Sequence, residues 1–258
     1  MIYIKTPEEI KIMREGGIIL AKILKELEKA VKPGVTTDDI DKLASELISF
    51  YKTKPAFLGF NDFPAVSCIS VNEEVVHCVP SNRVIRAGDL VSVDMGLIYK
   101  GFNLDSAVTV VALKDGQSYG DWASANPGKH QLLETTQKAL KKGISKVVTG
   151  VRVGVISSTI QQVVENNGLV IVKELTGHGI GRGLHEEPQI PNFGQPKSGV
   201  ELEEGMVVAL EPIVSMGDWQ LKDHKDGFGY LTKDSSMAAH FEHTIAVTKK
   251  GAVILTQE

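Results

Sequence analysis

The chain has little of several features that would assign it to common protein classes. It contains two cysteines, Cys68 and Cys78, too few for a disulfide framework, so we expect a reduced, cytoplasmic location. No apolar run approaches the ~20 residues that cross a bilayer, and residues 1–5 lack the charged start and apolar segment of a signal peptide. The net charge of -4 provides no basic surface for nucleic acid or anionic membranes, so neither is an expected partner.

What the chain does have is enough apolar mass for a substantial core. Its 258 residues are 42% hydrophobic, which suits one large domain or two small ones. We interpret residues 1–258 as a single domain made of two pseudo-symmetric halves, about 1–115 and 126–258, because the order of sequence features repeats.

Three kinds of segment occur twice, in the same order. They are a His-x-x-Pro motif, then a glycine with an apolar run that ends in a carboxylate, then a carboxylate that opens a β-branched run. The copies lie at residues 77–80 and 185–188, at 88–94 and 205–211, and at 105–110 and 242–247. The distance between copies varies by loop-sized amounts. The repetition predicts that two facing halves bring their acids to a common centre.

Capping residues and hydrophobic spacing predict the secondary structure. Helices are predicted to begin at Thr6 and Thr36, and two more are predicted over about 128–147 and 155–166. β-branched, alternating runs predict strands at 65–71, 90–96, 105–113, 169–175, 206–214 and 242–248. Residues 114–128 are typical of a connection, and 189–204 and 215–236 of additional loops.

The repeated carboxylates and one histidine are candidate metal ligands, namely Asp94, Asp105, His178, Glu211 and Glu242. A buried carboxylate on an apolar strand is costly unless a metal ion, an Arg or a Lys meets it, and for any single acid the sequence leaves these solutions open. Five such residues in repeated contexts favour a site for two divalent cations, among Co, Mn, Fe, Zn and Ni. A structural calcium site would require more oxygen ligands within one loop.

The segment TGHGIGRGLHEEP at residues 176–188 is the most distinctive in the chain. Its glycines allow close backbone approach, and its two histidines, seven residues apart, can reach one cavity. Arg182 stands at the last glycine position of a dinucleotide-binding motif, which excludes that motif. The histidines outside the repeated motifs are interpreted as packed or surface residues: His130, His224, His240 and His243.

Several of these motifs together are similar to those of one enzyme family. They are the 176–188 segment, Leu210-Glu211-Pro212, Phe241-Glu242-His243-Thr244, Asp94 with Asp105 eleven positions later, and residues 67–73 with His77. The chain resembles the type I methionine aminopeptidases over nearly its whole length. The resemblance implies an α+β pita-bread fold, a pseudo-two-fold curved antiparallel sheet with helices packed on its outer face. It also implies metal-dependent removal of the N-terminal methionine from nascent proteins and peptides with a small second residue.

The resemblance further implies how the metal ions are held. By this comparison Asp94 chelates one ion, while Asp105 and Glu242 bridge both. His178 and Glu211 hold the other ion, and Glu211 also acts catalytically by passing a proton to the leaving amine.

Two outer histidines and an apolar pocket complete the implied site. His77 and His185 are expected outside the metal shell, as catalytic and substrate-binding residues that contact the scissile peptide. The implied methionine pocket consists of Phe57, Phe60, Phe63, Cys68, Leu184 and Phe228.

The sequence departs from the family pattern at several positions. Asn61 stands where many members have His, and Asn103-Leu104 precedes Asp105 where His-Gly is common. Cys78 follows His77 where Gly is usual. These changes bear on pocket shape and rate rather than on the metal ligands.

Two other functions stay open within this fold family. One is an Xaa-Pro aminopeptidase or prolidase-like peptidase, and the other is a non-catalytic module that binds peptides. The favoured interpretation implies peptide and nascent-chain N-termini as partners, with a ribosome contact, no membrane and a monomeric state.

Overall fold

A computed structural model describes residues 2–258 of the chain. The helices within these residues are α1 (Pro7–Ala30), α2 (Thr37–Phe50), α3 (Tyr119–Ala125), α4 (Pro127–Ile144) and α5 (Val153–Glu165). The helix predictions at Thr6 and Thr36 and near 128–147 and 155–166 are therefore confirmed, with ends that shift by a few residues. None of these helices is both long and apolar enough to cross a membrane.

The first helix begins where its capping signals place it. The Glu9 N–H donates to the Thr6 side chain and the Thr6 N–H donates to the Glu9 carboxylate, which satisfies two backbone donors at once. Leu20, Ile23 and Leu27 lie on its buried face. That face packs on the two longest strands of the sheet, so the helix covers the outer side of the sheet.

Fifteen strands lie within the described residues, and every pair of these strands that joins in a sheet is antiparallel. In the first part of the chain they are β1 (Lys54–Pro55), β2 (Cys68–Val71), β3 (Glu74–Val76), β4 (Leu90–Tyr99) and β5 (Phe102–Val111). In the second part they are β6 (Val170–Ile171), β7 (Thr176–Gly179), β8 (Glu186–Pro191), β9 (Val207–Leu210), β10 (Ile213–Ser215), β11 (Leu221–Asp223), β12 (Tyr230–Thr232), β13 (Ala238–His240), β14 (His243–Thr248) and β15 (Gly251–Ile254).

Two of the sheets meet at the middle of the molecule. One contains β1, β4, β2 and β5, and the other has the order β15-β14-β9-β7-β8. They are joined where β5 passes the start of β14: the Glu242 N–H donates to the Ala107 carbonyl over 2.9 Å. The Thr244 hydroxyl accepts from the Asp105 N–H over 3.0 Å and donates to the Asp105 carbonyl over 2.7 Å. These bonds bring the acid-bearing strands of both sheets side by side.

Several boundaries differ from the sequence prediction. Residues 114–128 are not only a connection, because Ser118 caps α3, which buries Trp122. Residues 215–236 contain β11 and β12, which pair with each other, and β12 also pairs with β3. The strand β8 extends into 189–204. Short strands with half-exposed polar residues give too weak an alternation to be recognised in a Gly- and Asp-rich stretch. The predicted strand at 169–175 is confined to β6.

The acids also sit differently from expectation. Asp94 and Asp105 lie inside β4 and β5, where we expected one to end a strand and the other to open one. The predicted strand at 206–214 breaks between β9 and β10, because Pro212 has no backbone N–H to donate to a neighbouring strand. Glu211 occupies this break, just past the end of β9.

Candidate metal centre

A cavity of about 680 Å³ opens where the two sheets meet. All the site residues expected from the sequence line it: Asp94, Asp105, His178, Glu211 and Glu242, the histidines His77 and His185, and Phe57, Phe60, Phe63, Cys68, Leu184 and Phe228. The fold thus brings together residues that are up to 185 positions apart, from Phe57 to Glu242.

The β4–β5 hairpin positions two of the acids. In its register Asp94 lies opposite Ala107 and Asp105 lies opposite Gly96, so the two carboxylates come from neighbouring positions of adjacent strands. Both are buried, with 7% and 4% of their surface exposed. Gly96 is required beside them, because a Cβ there would come within 2.9 Å of the Phe57 ring.

The second sheet supplies the imidazole and the other two acids. His178 lies opposite Ala209 in the β7–β9 register, and Glu211 stands two residues after Ala209, directly past the end of β9. The His178 Nδ1 is 2.8 Å from the Gly179 carbonyl and therefore carries the proton, which leaves the lone pair on Nε2 facing Glu211 Oε1 at 3.5 Å. One ligand atom from each of Asp105, His178 and Glu242 lies within 4.8 Å of the other two.

No positively charged side chain balances the four acids within the described residues, where no Lys or Arg forms an ion pair with any of them. Asp94 Oδ1, Asp105 Oδ1 and Glu242 Oε1 are buried without a hydrogen-bond partner. Burial is the main cause that raises the pKa of Asp105 to about 7 and the pKa values of the other three acids well above their usual range, and repulsion between the acids raises these further. The Arg or Lys alternative left open by the sequence is thus excluded, and the donor set fits divalent cations.

His77 and His185 line the cavity beside this centre. The His185 ring packs edge-on against His178, with 4.4 Å between centroids, and against Phe60, with 5.1 Å. Burial, and secondarily His185, lowers the pKa of His77 to about 4, and burial also lowers the pKa of His185. Both residues are open to the cavity, and the lowered pKa values favour the neutral form of each imidazole. His77 has a φ of 59°, an uncommon left-handed conformation that directs its side chain into the cavity wall.

The loop that carries His185, residues 180–186 and here called the histidine loop, is anchored from two sides. The Lys5 Nζ lies 2.6 Å from Glu186 Oε2, and only 4% of each side chain is exposed. The Asn103 side chain donates to the carbonyls of Gly181 at 3.1 Å and Arg182 at 3.0 Å. Asn103, a departure from the family pattern, thus holds this loop.

Aromatic and aliphatic side chains form one wall of the cavity. Phe63 and Phe228 meet edge-to-face with 5.4 Å between centroids, and Cys68 pairs with Asp94 across β2 and β4. Asn61 lines the cavity in a left-handed conformation with φ of 47°. Leu104 and Cys78, two other departures, do not line the cavity. Leu104 is buried in the core, and the buried Cys78 sulfur packs so closely on Gly229 that a Cβ there would approach it to 2.6 Å.

Among the histidines that line the cavity, one was missed by the sequence reasoning. His240 was interpreted as a packed or surface histidine, but it lines the cavity, and its Nε2 is 3.9 Å from both Glu211 Oε2 and Glu242 Oε2. Burial, then His77, lowers its pKa to about 3. Its spacing was the available signal, because residues two apart on extended backbone share a face and His240 lies two before Glu242. His130, His224 and His243 contact Tyr119, Asp226 and Thr256, respectively.

Comparisons with known proteins agree with this geometry. The profile of metallopeptidase family M24 matches residues 11–249. A methionine aminopeptidase of Clostridium acetobutylicum is 42% identical over 257 residues, which cover 99% of each chain. The crystal structure of a methionine aminopeptidase from Thermotoga maritima has a TM-score of 0.93 at 42% identity and covers 100% of both chains.

A more distant relative shares the fold of this chain. The prolidase of Pyrococcus furiosus has a TM-score of 0.76 at 23% identity and covers 99% of this chain but 65% of its own, which is a likeness of fold alone. The expected α+β pita-bread architecture is confirmed by both structures. Because the full-length likeness is to methionine aminopeptidases, the chain belongs to metallopeptidase family M24 and, within it, to the methionine aminopeptidases.

Proposed function

We propose that this protein removes the N-terminal methionine from peptides and nascent chains whose second residue is small. The observation that carries the proposal is a single cavity that combines four acids, three of which have a buried oxygen without a hydrogen-bond partner among the described residues, with an apolar wall that includes the sulfur of Cys68. A hydrolytic centre and a pocket for one apolar side chain are the two parts that such an exopeptidase needs.

The acids and His178 would hold two divalent cations, with Mn, Fe, Co, Zn and Ni as candidates. Asp94 would bind one ion and Asp105 and Glu242 both. His178 and Glu211 would bind the other, in keeping with the free Nε2 lone pair of His178 toward Glu211. When bound, a pair of divalent cations polarises the scissile carbonyl and lowers the pKa of a water molecule.

Proton transfer and charge stabilisation fall to the chain's own side chains. Glu211 would take the proton of the attacking water and deliver it to the leaving amine, a role that a carboxylate positioned beside both groups can fill. His77 and His185 are neutral donors whose N–H groups stabilise the oxyanion that develops on the scissile carbonyl.

The apolar wall would hold the methionine side chain. Phe57, Phe60, Phe63 and Phe228 supply ring edges and faces, and contact between a thioether sulfur and an aromatic ring contributes about 0.3–1.5 kcal/mol. Cys68 and Leu184 add polarisable and aliphatic surface. The pocket lies beside Asp94, so the free amine of the substrate would reach the ion at that side.

The same proposal covers the setting in which the enzyme works. It is a cytoplasmic monomer with one catalytic domain built from two related halves, and it meets its substrates as nascent chains leave the ribosome. The two buried, unpaired cysteines support a reducing compartment.

Metal depletion and a peptide panel test the proposal together. The purified protein is treated with a chelator, reloaded with Mn(II), Fe(II) or Co(II), and assayed on Met-Ala, Met-Trp and Ala-Pro peptides. We expect cleavage of Met-Ala peptides only, lost with the metal and restored with it. Cleavage of the Xaa-Pro peptide but not of Met-Ala would reassign the substrate class, and full activity after verified metal removal would overturn the metal centre.

A further inference from the structure

His240 is held rigidly against the metal centre. Its backbone N–H donates to the Thr109 hydroxyl over 2.8 Å, and that hydroxyl donates back to the His240 carbonyl over 2.8 Å. Thr109 is itself bonded to Ser92 on β4. Pairing with Ile213 fixes the other side of the strand, and 3% of the His240 side chain is exposed. The ring therefore has little freedom to turn away.

The environment of this ring is unusual for a buried histidine. Among residues 2–258, neither Nδ1 nor Nε2 has a hydrogen-bond partner, although both atoms are fully buried. The Nε2 atom points between two carboxylates and is equally far, 3.9 Å, from Glu211 Oε2 and Glu242 Oε2. A buried polar group without a hydrogen-bond partner is costly. We therefore expect a hydrogen bond to form between the ring and a neighbouring carboxylate in the working state of the site.

The two histidines around Glu211 face different oxygens. His178 Nε2 approaches Oε1 with its lone pair, because its Nδ1 proton is directed to the Gly179 carbonyl. His240 Nε2 approaches Oε2, and within the described part of the chain neither of its ring nitrogens makes a hydrogen bond. The tautomer with the proton on Nε2 is therefore the one that gains a hydrogen bond.

We propose that His240 is a positioning residue whose Nε2–H holds the outward oxygens of Glu211 and Glu242, so that their other oxygens stay directed at the metal. The inference rests on the proposed function, since it places His240 behind two of the proposed ligands. A rotation of either glutamate that moves its oxygen by about 1 Å brings it into the usual hydrogen-bond range of about 2.9 Å. Hydrogen-bonded carboxylate ligands are a general feature of metal sites, and loss of the partner typically costs about 10- to 100-fold in metal affinity.

Three variants separate the hydrogen bond from mere packing. His240→Leu removes the donor, and His240→Gln keeps an N–H donor of similar reach. His243→Gln is the matched control, because His243 adjoins Glu242 but its Nδ1 faces Thr256 at 2.9 Å, away from the cavity. The dissociation constant for Mn(II), measured by calorimetry, should rise about 10- to 100-fold in H240L. It should stay within about threefold of the parent in H240Q and in H243Q.

A measurement on the unaltered protein covers the case in which H240L does not fold. With ¹⁵N-labelled histidine and diamagnetic Zn(II), NMR should show that His240 keeps its Nε2 proton on metal binding while His178 coordinates through Nε2. Unchanged Mn(II) affinity in H240L, or loss of the His240 Nε2 proton on metal binding, would overturn the positioning role while leaving the proposed function intact. Absence of metal binding by the unaltered protein would overturn both.

Discussion

Replacing Lys5 by Met tests whether the buried pair with Glu186 anchors the histidine loop. The pair is 2.6 Å long and nearly inaccessible to water, so the variant leaves a buried carboxylate without its cation. Removing one partner of a buried pair costs about 3–5 kcal/mol, and we expect the lower end, because Glu186 Oε1 keeps a 2.9 Å bond from the Gly183 N–H. About 3 kcal/mol corresponds to a fall in Tm of roughly 6–12 °C for a protein near this size.

The assay compares this variant with two others in thermal and guanidinium unfolding. Lys5→Met combined with Glu186→Gln should recover at least half of the lost free energy, because no unpaired charge is then buried. Arg182→Met removes the exposed pair with Glu9 from the same loop, and its cost should stay below about 1 kcal/mol. A Lys5→Met variant no less stable than Arg182→Met would refute the reasoning. With metal content unchanged, Lys5→Met should also lower kcat, since His185 is next to Glu186.

Four further predictions follow from the site. Asp105→Asn removes a charge expected to touch both ions, so metal analysis after gel filtration should show a lower metal-to-protein ratio; an unchanged ratio would reject the bridging role. His185→Ala should bind metal normally but lose kcat, and metal loss would instead make His185 a ligand. Burial raises the pKa of Asp105 to about 7, so in the chelator-treated protein this carboxyl favours folding less as pH rises from about 4 to about 7, whereas the buried histidines with lowered pKa values act in the opposite direction. The free energy of unfolding in urea is therefore compared with that of Asp105→Asn: relative to this variant it should fall over that range, and a difference that does not change with pH would contradict the assignment. Burial also raises the pKa of the Cys68 and Cys78 thiols, so neither should react with a disulfide reagent at neutral pH until the protein is unfolded.

Much of the site could be predicted because its residues obey local rules. The capping boxes at Thr6 and Thr36 fix helix starts through backbone hydrogen bonds that the sequence itself specifies. Acids that recur after apolar runs identified the cavity residues, since an acid in that setting needs a partner. The short strands β11 and β12 were missed because they form a sheet only through the pairing of β12 with β3, a tertiary interaction that leaves little trace in local periodicity.

Other features depend on contacts between residues that are far apart in the sequence, which local patterns do not predict. The contact of Lys5 with Glu186 joins residues 181 positions apart, and nothing near Lys5 indicates a buried partner. Asn103 appeared only as a departure from a family pattern, whereas its hydrogen bonds to the histidine loop depend on where β5 passes that loop. His240 was interpreted as a packed or surface histidine because it was considered apart from its neighbours. Its spacing of two from Glu242 predicts that both side chains lie on one face of the strand.

Anomalous diffraction from crystals grown with Mn(II) tests the central claim most directly. The account predicts ions bound inside the cavity, in coordination contact with the five proposed ligands Asp94, Asp105, His178, Glu211 and Glu242. An empty cavity under saturating Mn(II), or an ion held only by the separate cluster of Cys78, His224 and Asp226, would contradict it.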